Sequence, residues 1–137
     1  MTTPLFGAFG IAGSGITVYR RWLDAVSDNI ANLSTARRTG EEAFRAKYVI
    51  AQAVDYGSGE GGVQVGGIAL GSAEGRLVHE PGHPLADANG DVRYPDIDLG
   101  AQMAQLMIAQ RGYQANLAVV DRARDAYSAA IQVGRSS

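Results

Sequence analysis

The chain contains no cysteine. That single absence removes disulfides, thiol catalysis and cysteine-type zinc sites. Histidine is scarce as well: there are two, and both fall within one short string, His79-Glu80-Pro81-Gly82-His83. Net charge is only −2 over 137 residues, so there is no electrostatic footprint for nucleic acid or an anionic membrane. No apolar run approaches the roughly 20 residues of a bilayer-spanning helix, and membrane insertion is not expected. The opening MTTPLFGAFGIAGSG has no basic stretch ahead of its apolar residues, so a cleavable secretory signal is not expected either.

What is present suffices for one packed domain, with 46% apolar and 19% charged residues. Eighteen glycines cluster at 7–15 and 57–75 and are sparse from 16 to 56 and after 100. They divide the chain into an N-terminal helical segment (1–35), a β-rich middle (36–95) and a C-terminal helix (96–137).

In the first segment apolar residues fall at Ala12, Ile16, Tyr19, Leu23, Val26, Ile30 and Leu33, the alternating 4-3 spacing of a heptad seam. Gly13 and Gly15 weaken the first turn, so the firm helix is expected from about Ile16. It should end near Asn32 to Thr35, where residues prefer turns. The last segment repeats the pattern from Leu99 through Met103, Leu106, Gln110, Tyr113, Leu117, Val120, Arg124 and Tyr127 to Ile131. It would span roughly 50 Å as one helix. Gln110 and Arg124 interrupt the seam as tolerated polar positions or as register devices.

Between the helices the period becomes 2. AFRAKYVIAQAV alternates through Phe44, Ala46, Tyr48 and Ile50, which predicts a strand with those residues inward. GVQVGGIAL and GRLVHE read as further strands, and Asn89-Gly90 carries a hairpin signal. The fold class is therefore α+β: two long terminal helices in a coiled-coil-like hairpin, with a small β-rich module inserted between them.

Two motifs invite a catalytic reading. His79-Glu80-x-x-His83 matches the H-E-x-x-H of zinc hydrolases, which needs both histidines on one helical face. Pro81 costs a helix about 3 kcal/mol and Gly82 about 1 kcal/mol, while Pro84 pushes His83 toward extended geometry. The string reads better as a structural turn, Pro81-Gly82-His83-Pro84; a non-helical metal site on His79, His83 and Asp87 is no stronger. Gly57, Gly59 and Gly62 fit G-x-G-x-x-G, but a strand follows where the dinucleotide fingerprint needs a helix. Asn32-Leu33-Ser34 is a glycosylation sequon at a helix end. No catalytic constellation, cofactor site or metal site is assigned. The runner-up is a small zinc- or nucleotide-using enzyme on a helical hairpin.

The two seams also carry a resemblance. VSDNIANLST resembles the N-terminal signature of flagellar axial proteins (rod, hook and hook-associated subunits) through Ser27, Asn29, Ile30, Ala31, Asn32 and Thr35, with Asp28 where asparagine is usual. RGYQANLAVV resembles their C-terminal signature through Arg111, Tyr113, Gln114, Ala115 and Asn116. EPGHPLADANGDVRYPDIDL is similar to a run of the proximal-rod members through Pro81, Gly82, His83, Pro84, Ala86, Asp87, Gly90, Val92 and Pro95. Glu80 and Asp91 depart from that run, and ARRTGEEA gives residues 36–43 no expected conformation.

The resemblance implies a structural subunit of the rod between rotor and hook, another rod subunit being the alternative within the class. Implied partners are copies of itself, other rod subunits, the rotor MS-ring or adaptor proteins at the rod base, and the flagellar type III export apparatus. Assembly would take place in the periplasm. The buried seam would comprise Ile16, Leu23, Val26, Ile30, Leu106, Tyr113, Leu117 and Val120, with Asn29, Asn32, Gln114 and Asn116 setting register through hydrogen bonds.

Overall fold

A computed structural model describes residues 3–57 and 60–135 of the chain. The first helix, α1, runs Thr3–Ala31 and the last, α2, runs Leu99–Arg135. Strands β1 (Lys47–Gly57) and β2 (Glu60–Leu70) form one antiparallel hairpin. Strands β3 (Arg76–His79) and β4 (Asp91–Tyr94) form a second, shorter antiparallel pair. The α+β architecture with a β-rich insert between terminal helices is the expected one.

The helices lie antiparallel and side by side. Phe6 meets Tyr127 edge-on, with ring centroids 6.1 Å apart, while Asn29 at the other end of α1 bonds Gln102 near the start of α2. The β1–β2 hairpin packs on α1 and, among the described residues, not on α2. The order of layers is thus α2, α1, hairpin, with α1 covered on two sides. Its buried residues Ala12, Val18, Ala25 and Val26 follow from that position.

The start of α1 corrects the expectation of a firm helix only from Ile16. Propensity would let Gly7, Gly10, Gly13 and Gly15 fray the first turns, but packing along α2 overrides a cost of about 1 kcal/mol per glycine. At its other end the Asn32 amide nitrogen Nδ2 donates to the Asp28 carbonyl at 2.8 Å and its Oδ1 accepts from Thr35 at 3.1 Å, which turns the chain out of the helix. Asp98 caps α2: its carboxylate accepts from the Ala101 amide at 2.6 Å.

The strand expectation needs a second correction. Strand β1 begins at Lys47, and Val49 and Ala51 line the space over α1, whereas Tyr48 and Ile50 are exposed. Alternation is present, and ahead of the strand Ala46 is buried and Phe44 half-buried as expected, but within β1 the inward row is the other one. The reason is a contact between segments 18 residues apart: the Asn29 side chain accepts from the Lys47 amide at 2.8 Å and donates to its carbonyl at 3.0 Å, and this fixes which way β1 leaves α1.

The second β pair holds the loops. Val92 is fully buried, with Pro95, Ala43 and Ala46 also buried. The segment 36–43, for which sequence gave no conformation, is an added rung. Arg37 and Arg93 exchange backbone bonds of 2.8 and 3.0 Å, and the Arg93 guanidinium donates to the carbonyls of Thr39 and Glu74.

Candidate assembly interface

The two motifs that suggested chemistry fold into something else. His79 is the last residue of β3, and its ring lies 3.0 Å from the Asp91 carboxylate. Glu80 accepts from the Tyr94 hydroxyl at 2.9 Å, which raises the Tyr94 pKa above its ordinary value. His83 sits in the Pro81-to-Pro84 turn, its amide bonded to the Glu80 carbonyl and its Nδ1 accepting from Leu85 at 3.1 Å. No helix carries the pair, so the H-E-x-x-H geometry is not formed. Asp87 is the hub of the loop. It accepts from the amides of Asp91 and Asn89 and from the Thr39 hydroxyl, and the Asp91 bond leads in holding its carboxyl below the usual aspartate range. Asn89-Gly90 therefore closes an eleven-residue loop between β3 and β4, with Gly90 at φ +82°, instead of forming a two-residue hairpin turn. The other glycine motif loses its context too: Gly57 ends β1, Gly62 lies within β2, and Gly59 falls outside the described residues.

The seam between the helices is real but rotated. On α2 the buried positions are Gln102, Ala109 and Ala123, with Asn116 half-buried in the same row. These small and polar residues repeat every seven. Beside them the wholly apolar row Leu106, Tyr113 and Val120 is half-buried. The remaining expected row, Met103, Gln110, Leu117, Arg124 and Ile131, is exposed, Met103 at 49% and Leu117 at 39%. The expected seam shares one row with the observed one and misses the other by one residue.

Small residues occupy the observed row because the backbones approach closely. A Cβ on Gly112 would collide with the Tyr19 ring, and one on Gly15 would fall 2.5 Å from the Asn116 side chain. Tyr19 in turn stacks on Trp22 at 5.8 Å. The expected members on α1 divide accordingly. Val26 is buried at 2%, whereas Ile16, Leu23 and Ile30 are half-buried.

Of the four register residues, Asn29 is the one at the centre. It is fully buried and bonds Gln102 Oε1 at 3.0 Å as well as the Lys47 backbone, tying α1, α2 and β1 together. Asn116 Nδ2 donates back to the Gly112 carbonyl at 2.8 Å, Asn32 ends α1, and Gln114 is exposed on α2. Sequence reading missed Gln102, whose signal was its position seven residues before Ala109 and fourteen before Asn116.

The terminal helices bury small residues against each other, while α2 leaves large apolar ones exposed. Comparison with known proteins gives this architecture a family. A family described as flagellar basal body rod FlgEFG protein C-terminal matches residues 89–133, which include strand β4 and all but the last two residues of α2. Flagellar basal-body rod protein FlgC of Salmonella typhimurium (strain LT2) is 36% identical over 133 residues, covering 96% of this chain and 98% of its own. FlgC of Agrobacterium fabrum is 40% identical over 138 residues, covering 98% of each. FlgC of Bacillus subtilis is 29% identical, covering 95% of this chain and 98% of its own. The chain belongs to the FlgC family of flagellar basal-body rod proteins.

Proposed function

We propose that this chain is a structural subunit of the flagellar basal-body rod, built into the shaft through its terminal helices. The observation that carries the mechanism is the exposed row of α2 that holds Met103, Leu117 and Ile131, beside its half-buried one. Leu106, Tyr113 and Val120 lie between two flanks. One flank is filled by α1; the other, with Met103, Leu117 and Ile131, awaits a neighbour's helix. Ile16, Leu23 and Ile30 add the half-buried margin of α1, Gln114 offers an exposed amide, and Asn32 and Asn116 shape the backbone beside it. Val26 and Asn29 act from within, by holding the hairpin of helices that presents the surface.

The partners are copies of this chain and other rod subunits, with rotor MS-ring or adaptor proteins at the rod base. Delivery runs through the flagellar type III export apparatus, and assembly occurs in the periplasm. The role is mechanical, and no residue is assigned to catalysis. The test is complementation of cells lacking their own copy. Restored swimming, with the chain present in isolated basal bodies, is the expected result; motility without the chain in the basal body would contradict it.

A further inference from the structure

The β1–β2 ribbon leaves hydrogen-bonding edges open at two opposite corners. At its base the outer edge of β1 lies against α1, where Asn29 occupies both the amide and the carbonyl of Lys47. Toward its tip the edges change places. There β2 lies against α1, and the Val63 amide donates outward to Ser14 Oγ at 3.0 Å. The exchange falls at the register shift between Ile50 and Ala51, where a bulge adds twist and the ribbon crosses the helix. Two stretches remain uncovered: β1 from Ile50 to Ala53, and β2 from Ile68 to Leu70 with Gly66. Among the described residues, the backbone of each bonds only within the ribbon.

Neither stretch carries the protections usual for an exposed edge, which are charge, proline or a covering element. Tyr48 to Val54 holds no charge, proline or glycine, and Gly61 to Leu70 holds no charge or proline. Charge appears only at the ends, at Lys47, Asp55 and Glu60. A two-stranded ribbon is marginal in water unless a third strand or a helix supports it. Here the helix supports each strand over half its length.

The geometry points to strand addition between copies: the free outer half of β1 in one subunit pairs antiparallel with the free basal half of β2 in the next. The occupant is a second copy because the two open stretches are complementary and lie at opposite corners. Within one chain they cannot meet. Such a contact is heterologous, and repeated it gives an open array instead of a closed pair. An open groove of about 830 Å³ between α1 and Val65 and Ile68 borders the receiving edge, leaving space beside it. This inference rests on the reading of the chain as an assembling subunit.

The natural absence of cysteine makes the test clean. Cells whose only copy carries Gln52→Cys with Ala69→Cys, or Val54→Cys with Ala69→Cys, are grown and their basal bodies isolated under oxidising conditions. Gln52 pairs with Gln64 in the same chain, which puts Ala69 five residues further along β2, ~17 Å away. An intrachain disulfide is thereby excluded. A ladder of covalent dimers and higher species is expected for at least one pair, with none from any single substitution. Monomer alone, from basal bodies that contain the chain, would overturn strand addition and leave the rod assignment standing. Dimers from a single substitution would overturn the head-to-tail arrangement. Absence of the unsubstituted chain from basal bodies isolated in the same way would overturn the assembly reading itself, and this inference with it.

Discussion

Helices α1 and α2 carry similar heptad spacing and meet along one seam, yet they use their surfaces in opposite ways. Helix α1 is the middle layer, packed by α2 on one side and the hairpin on another, so Ala12, Val18, Ala25 and Val26 are buried within the chain. Helix α2 is longer, at 37 residues against 29, and touches only α1 among the named elements. It buries alanine and amide side chains there and leaves leucine, methionine and isoleucine outside. One helix is covered on two sides within the chain, the other on one. An apolar period therefore reports that a face is destined for burial without naming the chain that will bury it.

Substitutions can break this contrast at graded cost. The largest effect is expected from Val26→Asp, which places a charge at a position exposed by only 2%. A loss of about 4 kcal/mol or more follows, enough to unfold a marginal domain in a denaturant titration. Asn29→Ala comes next. It orphans the Gln102 amide and both polar groups of the Lys47 backbone, costing about 3 kcal/mol. Thermal melting should show it, with hairpin and helices loosening together because one side chain joins all three.

Gly112→Ala should cost roughly 2 kcal/mol, since the new methyl meets a Tyr19 ring already stacked on Trp22. Gly7→Ala, where an added Cβ meets nothing within 4 Å, should instead stabilise by up to about 1 kcal/mol. A comparison of the two melting temperatures checks that only part of the glycine content is demanded by close approach. The smallest effect lies away from the helices. The Asp87 pKa is depressed in the fold, so its contribution is present above the ordinary aspartate range and is lost as pH falls through that range and below. Asp87→Asn should flatten the acid limb of the stability profile while leaving neutral-pH unfolding of the helices little changed.

Much of this was legible in the sequence. The two helices, the β insert and the proline-glycine turn at Pro81 to Pro84 follow from period, glycine placement and proline chemistry. The errors share a cause. Hydropathy drew attention to Met103 and Leu117 over Gln102 and Ala109, and the alternation through Phe44 and Ala46 was carried on to Tyr48 and Ile50 over Val49 and Ala51. In both places the inward row was chosen by a contact between distant segments: backbone approach at Gly15 and Gly112 in one, the grip of Asn29 on Lys47 in the other. The loop 36–43 was opaque for a similar reason, since its conformation depends on Arg93, more than fifty positions away.

On the proposed reading, the uncovered row of α2 serves assembly and not the fold of the single chain. Leu117→Asp tests it most directly, with basal-body incorporation as the readout and the monomer's melting temperature as the control. The expected result is a chain that melts like the unsubstituted protein, within about 0.5 kcal/mol of its stability, and is missing from the basal body. Normal incorporation of that variant would show that no neighbour covers the row, and would contradict the account.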